Sequence, residues 1–429
     1  MPLTPAAVQS GITAPAGDQL RVQAQSIRHP LLKPIDIGIG DGLTPDQAAV
    51  IAVIANPSLR SARDRCGLAA AQLLQEGILP NPQVSFGENY PYGGAIAGAV
   101  TASQVGLSWD VAELISRDAK IRAAKADAAS VDLDIAWQEW QTAQAARAAV
   151  YDLASLQAQL KLTNQIARQM SENLSVIRAA VDRHDKTLLD LTAAQAASLD
   201  ADAAVFAQAR EVASARLTLN KALGFAPDAV VKLAPEVTLA DNVVVPPPRE
   251  ILNDLENRRL DLLALRLGYQ SQEETLRAAV LEQFPRINIG FNRQRDDTNV
   301  QSLGFAVTFD LPIFDRNQGA ITAETATRQE LYDEYLERVY EARFDVYAAC
   351  ADLNAISAQI RDEENSLPGL QRLADTYGAA FGQGNVDVLS YYSAQNSLAQ
   401  KQLDILKLKQ ELMDTKIALG LAAGEYLPD

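Results

Sequence analysis

The chain has 429 residues, 48% of them hydrophobic and 21% charged, with a net charge of −16 and two cysteines, Cys66 and Cys350. Acidity on this scale argues against a nucleic-acid partner. No run of about 18 apolar residues offers a transmembrane helix, which leaves a β-barrel as the way to cross a membrane. Both cysteines lie in helical patterns and read as small buried apolar residues rather than a disulfide.

Residues 1–42 are rich in Pro and Gly and are expected to form an extended arm. The opening MPLTPAAVQSGITAPAG has no basic segment, no apolar signal core and no early Cys for a lipid anchor. The remainder of the chain fits export, so the expectation is a wrong or engineered start. A first repeat covers 43–224. Thr44, with Pro45 and Gln47, caps a helix running to about Gly77, and Asn56–Pro57 should kink it. Val84, Phe86 and Tyr90 alternate with polar residues and Gly87, predicting a strand at about 82–91. Val105, Leu107 and Trp109 predict a second at about 101–110. An Ala-rich helix at about 114–181 would be about 100 Å long. The pattern breaks at 182–187 (DRHDKT), and a helix follows to Leu223, closed by Gly224.

Residues 225–248 form a linker ending in three prolines, and then the programme repeats over 249–420. ENRRLDLLALR answers ANPSLRSARDR, FPRINIG answers NPQVSFG, and GFAVTFD answers VGLSWD. AAFGQGNVDVLSYYSAQ answers AAVDRHDKTLLDLTAAQ at an offset of about 200 residues, and ALGL near the C-terminus answers ALGF. Strands are expected at about 285–294 and 302–311, a long helix at about 317–381, and a tail at 421–429. The second long helix keeps a seven-residue beat through Tyr332, Val339, Val346, Leu353, Ile360, Leu367, Ala374 and Phe381, which implies helices wound against partners. Pro368–Gly369 would be a turn by the breaker rule. The repeat instead makes Pro368 a kink and places the turn at 382–387.

The stretch 305–321, FAVTFDLPIFDRNQGAI, carries the junction of the second repeat. Phe305, Val307, Phe309 and Leu311 alternate with Ala306, Thr308 and Asp310; Pro312 closes the strand; Asp315 and Asn317 can cap the helix beyond. The junction residues Pro312, Phe314, Asp315, Asn317 and Gly319 resemble the strand-to-helix handover of the TolC-like outer-membrane efflux channels, and LPIFDRNQG is most similar to the CzcC-like heavy-metal branch. The resemblance covers about 43–420. It implies a mainly α fold with a small membrane β-sheet, in two tandem repeats of helix, strand, strand, long helix, turn and helix. In an oligomer these build an α-helical barrel below a shared β-barrel.

Four strands are too few to close a barrel, and open edges are not tolerated in lipid, so membrane strands require an oligomer. The family implies a homotrimer in outer-membrane lipid that reaches into the periplasm, where it works with an adaptor (membrane fusion) protein and an inner-membrane RND pump. Val84, Phe86, Val105, Leu107, Trp109, Ile287, Ile289, Phe291, Phe305, Val307 and Phe309 would face lipid. Gln83, Ser85, Asn89, Gln104, Ser108, Asn288, Asn292, Thr308 and Asp310 would face a wet lumen.

No catalytic set, cofactor motif or metal-ligand spacing is present; His29 and His184 lack partners at ligand spacing, and the chain reads as a non-enzyme. The resemblance makes the two turns the periplasmic tip, with the run from Phe381 to Gly384 matching the family pattern and Asn385, Val386 and Asp387 following it. His184 stands where the first turn would carry glycine. Asp182, Arg183, Asp185, Lys186 and Asp387 are gate candidates, and a carboxylate ring would favour cations. The leading reading is a passive exit duct for divalent heavy-metal cations. Alternatives are a duct for drugs or type I secretion, a soluble coiled-coil scaffold, and a periplasmic adaptor, which would leave the strand pairs unexplained.

Overall fold

A computed structural model describes residues 3–12, 17–38, 42–94 and 97–425. Parts of the expected arm, of the loop after the first strand and of the C-terminal tail lie outside the described residues. Packing divides the chain into two units. The first holds residues up to Ser61, 136–259 and from Glu341 onward; the second holds 62–135 and 260–340.

The arm is not extended throughout. It carries α1 (Pro5–Ile12) and α2 (Gly17–Gln25). The Pro and Gly that suggested extension mark helix starts instead: Pro5 follows Thr4, whose hydroxyl accepts from Ala7 N at 3.3 Å. Leu20 and Ala24, one helical turn apart, are buried and join a core with Ile37, Leu43 and Val50. His29 then pins the arm to the first long helix. Its Nδ1 accepts from the backbone N–H groups of Leu31 and Leu32, and Nε2 lies 3.0 Å from the carbonyl of Ala136.

The helix expected to run from Thr44 is divided into α3 (Pro45–Ala55) and α4 (Pro57–Gly77), with the capping box of Thr44 and Gln47 formed at its start. Strands β1 (Gln83–Asn89) and β2 (Ala102–Asp110) follow, then α5 (Glu113–Asp182) and α6 (Leu188–Leu223). In the second repeat the expected single helix is three: α7 (Pro248–Leu252), α8 (Leu255–Arg258) and α9 (Leu260–Leu281). It breaks because Asn253 is extended and Asp254 takes a left-handed φ of 61°, a conformation Asn and Asp tolerate better than most residues. Strands β3 (Ile287–Arg295) and β4 (Gln301–Phe309) lead to α10 (Gln318–Gly382) and α11 (Val388–Ala423). Helix α10 runs through Pro368. On it Val346, Leu353, Ile360 and Ala374 of the seven-residue beat are fully buried, and Val346, Leu353 and Ile360 share a core with Leu408 and Leu412 of α11.

The two repeats match at an offset of 200, which corrects one alignment made on sequence. Glycine 224 caps α6 with φ 69°, and its counterpart is Gly424, φ 64°, rather than the glycine of ALGL, Gly420, which lies inside α11. Leu421, Ala422 and Ala423 therefore belong to the helix and not to the tail. The last two are buried, and that burial extends the helix by a turn. Each cap is met by a side chain from a break in an earlier helix. Asn56 Nδ2 donates to the carbonyl of Ala222 (3.0 Å), and Arg259 Nη1 donates to that of Ala422 (3.2 Å). Both satisfy carbonyls that a helix end leaves without partners.

Candidate functional site

The second unit holds one antiparallel sheet in the order β1-β2-β3-β4. Its register brings the apolar positions of all four strands to one face. Trp109 opposes Ile289, which opposes Val307; Val84, Leu107, Phe291 and Phe305 form the next row; Ile287 opposes Phe309. Phe291 and Phe305 rings are in contact, with centroids 5.1 Å apart. Phe86, Val105 and Leu303 continue the face, joined there by Arg293, and the last row is polar: Glu88, Ser103, Arg295 and Gln301. The apolar band is thus about 20 Å long along the strands. Phe86, Phe291, Phe305 and Phe309 are all more than half exposed. An apolar sheet face left uncovered by the chain's own helices is not how a soluble sheet is built.

The opposite face is small or polar. Ser85, Gly106, Asn292 and Gly304 lie in one row, and Asp110, Asn288 and Thr308 in another. Trp109 donates its indole N–H to the carbonyl of Pro80 (2.8 Å), a ring with one apolar and one polar end at the edge of the band. Strands β1 and β4 each have one edge without a partner strand among the described residues.

At the junction Asp315 Oδ1 accepts from Asn317 N (2.9 Å), and Asn317 adopts φ 59°. Its side chain does not cap α10 as expected. It donates to the carbonyl of Ala279 (2.8 Å) and so ties the junction to α9. Phe314 is almost wholly exposed, Ile313 is exposed beside it, and Gly319 lies in open space. Pro312 accepts from Arg316 Nε, closing the loop on itself.

The two turns lie in the first unit and repeat the same backbone hydrogen bonds at matching positions. His184 N donates to Val181 O and Asp185 N to Ala180 O; Gly384 N donates to Phe381 O and Asn385 N to Ala380 O. His184 has φ 64° and Gly384 φ 76°. The first turn therefore keeps the shape with a histidine in a left-handed position, at a cost of about 1 kcal/mol. His184→Gly should raise stability by about that amount, read as a higher unfolding midpoint, with the turn unchanged. Thr187 caps α6 through Asp190, and Asp387 caps α11, accepting from Ser390 N (2.8 Å).

Those bonds hold both carboxylates below the usual range: the Thr187 backbone N–H acts first on Asp190, and the Ser390 backbone N–H on Asp387. Arg183 and Asp185 pair at 3.2 Å within their own turn, and Asp182 is exposed. Lys186 reaches across to the other turn: its ammonium lies 4.2 Å from the centroid of the Phe381 ring. Sequence reasoning missed the residues beneath. Tyr391 stacks on Phe381 (5.1 Å, 10°) and accepts from Asn173 Nδ2 (2.7 Å), and Tyr392 packs against Tyr391. Burial, and then Tyr391 beside it, push the Tyr392 phenol up to about 12. The one signal in the sequence was the paired tyrosine one turn after a cap.

Among the described residues no helix is long and apolar enough to cross a membrane, and no cluster of His, Cys, Asp and Glu is arranged to hold a metal ion. Cys350 is buried, and Cys66 is partly buried.

This fold is shared with solved outer-membrane channels. The fold matches the crystal structure of CusC with a TM-score of 0.76 over 93% of this chain and 99% of that one, at 17% identity. It matches VceC from Vibrio cholerae with a TM-score of 0.75 over 89% and 96%, also at 17% identity. Residues 251–425 match the family described as outer membrane efflux protein. The cobalt-zinc-cadmium resistance protein CzcC of Cupriavidus metallidurans is 25% identical over 163 residues, 38% of this chain. That alignment spans 39% of the relative's length. The chain thus has the fold of the TolC-like outer-membrane efflux channels and is similar in sequence to the outer membrane efflux protein family over residues 251–425.

Proposed function

We propose that the chain is one of three identical subunits of a passive outer-membrane channel in a tripartite efflux system, and that it exports divalent heavy-metal cations. The observation that carries the channel reading is the four-stranded sheet with an uncovered apolar face and two open edges. Lipid covers the face, and sister subunits pair the edges, because neither can stay bare in a bilayer. The helices of each subunit continue the duct into the periplasm. Exposed side chains on α10, among them Tyr332, Leu336 and Tyr347, support packing between subunits.

The turns that carry Asp182, Arg183, Asp185, Lys186, Phe381, Gly384 and Asp387 form the end that meets a periplasmic adaptor and an RND pump. Export energy comes from that pump; this chain supplies a conduit and a gate. The metal substrate rests on the likeness to CzcC and on the LPIFDRNQG junction. Deleting the gene in its native host is expected to sensitise cells to zinc, cobalt or cadmium, with tolerance restored by the intact gene. Unchanged tolerance to these ions and to copper and nickel removes the metal assignment and leaves the channel.

A further inference from the structure

We propose that the first unit holds a binding site for a small carboxylate with an apolar body, in a cavity between the linker and helices α5 and α11. The cavity measures about 740 Å³, within the range of small-molecule sites. All of its lining residues belong to the first unit. The linker forms one side through Glu236, Val237 and Val243, α11 another through Met413, Lys416 and Leu419, and the start of α3 a third. The site is independent of the sheet and of the turns.

Charge is distributed unevenly over this wall. Lys416 lines the cavity yet is only 6% exposed, and the buried Tyr151 stands with it. These two residues and Met413 also line a smaller void of about 10 Å³, together with Gln144 and Arg147, both buried. Gln144 Oε1 accepts from Arg147 (3.2 Å), while its Nε2 is buried with no hydrogen-bond partner among the described residues. The deep wall thus presents N–H donors: an ammonium, a guanidinium and an amide. The carboxylates lie outward. Asp46 is nearly half exposed, 3.4 Å from Arg147, and Glu236 is exposed. A cation in a buried wall attracts an anion more strongly than one in water. Two carboxylates at the rim repel a second negative charge, which favours a carboxylate ligand over a phosphate monoester, close to doubly charged at neutral pH. Val237, Val243, Met413 and Leu419 supply an apolar side that an inorganic ion would leave unused.

The test is titration calorimetry on the full-length protein in a non-ionic detergent, with 4-phenylbutyrate as the probe. One saturable site per chain is expected. Lys416→Met should weaken it at least about tenfold, and Lys416→Arg should stay within about threefold, since a guanidinium also pairs with a carboxylate. Ala240→Trp, which fills the cavity and leaves its charges in place, should abolish binding. The uncharged 4-phenylbutanol and the dianion phenyl phosphate should each bind at least about tenfold more weakly than the probe. Absence of saturable binding, or full affinity in Ala240→Trp, overturns the site. Equal binding of 4-phenylbutanol, or full affinity in Lys416→Met, overturns the part assigned to charge, and equal binding of phenyl phosphate overturns the preference for a carboxylate. Should Lys416→Met fail to fold, Ala240→Trp and the two comparison ligands still decide.

Discussion

Phe305→Arg is expected to remove the protein from the outer membrane while leaving its helical units folded. Phe305 lies in the middle of the apolar face, opposite Phe291 and in the row of Leu107 and Val84. An arginine at the centre of a lipid-facing barrel surface costs about 2–4 kcal/mol per copy. In the proposed trimer each subunit would carry it, so the assembled sheet would lose about 6–12 kcal/mol, comparable to the whole stability of a domain. Thr308→Arg, three residues away on the opposite face, should be tolerated, since that face is polar. The measurement is the amount of each variant in the outer-membrane fraction and its oligomeric state after extraction. Phe305→Arg recovered at wild-type levels would mean that the face does not meet lipid.

The second large effect concerns acid and base. Asp414 of α11 lies against α5, near Asp152, which accepts from Gln410 (2.6 Å). Its Oδ1 is buried without a hydrogen-bond partner. Burial first, then the charges of Asp152 and Glu411, push Asp414 up from 3.8 to about 7. The folded protein thus holds this proton more tightly than the unfolded chain. The stability it contributes is complete below about pH 4 and is lost as pH rises through about 7. The interval corresponds to about 4 kcal/mol, and solvent screening at this half-buried site reduces it to about 2 kcal/mol. Asp414→Asn should therefore stabilise the protein by about 2 kcal/mol at pH 8 and do little at pH 4. Denaturant midpoints between pH 4 and pH 8 decide it: a variant that keeps the wild-type slope excludes Asp414 as the source.

Much of this fold was legible in the residues. Alternation in Val84, Phe86, Val105 and Leu107 defines a face because side chains in a strand alternate strictly, and register then gathers them. The beat through Val346, Leu353 and Ile360 defines a buried seam for the equivalent helical reason. Turn position was legible from the offset of 200 even against Pro368, since a proline within a long packed helix is overruled by its neighbours. What stayed hidden depends on distant contacts. Leu20 and Ala24 form a helix because a core lies beneath them, which local composition does not report. Asn317 bonds to Ala279 instead of capping, because α9 passes within reach. Lys186 over Phe381 joins residues nearly two hundred positions apart, and the raised pKa of Asp414 depends first on its burial in the fold and then on Asp152 of another helix as well as Glu411 of its own.

Helices α6 and α11 have the same length, 36 residues, between a matching turn at one end and a matching glycine at the other. Deleting one residue from either would shift its turn by about 1.5 Å and swing it by about 100° against its twin. In the proposed barrel the rim formed by the turns would then be ragged, with alternate hairpins out of level and out of phase. Insertions and deletions in these segments are thus tolerable only when both halves change together, so a duplicated gene of this kind keeps its ruler even where its letters have drifted.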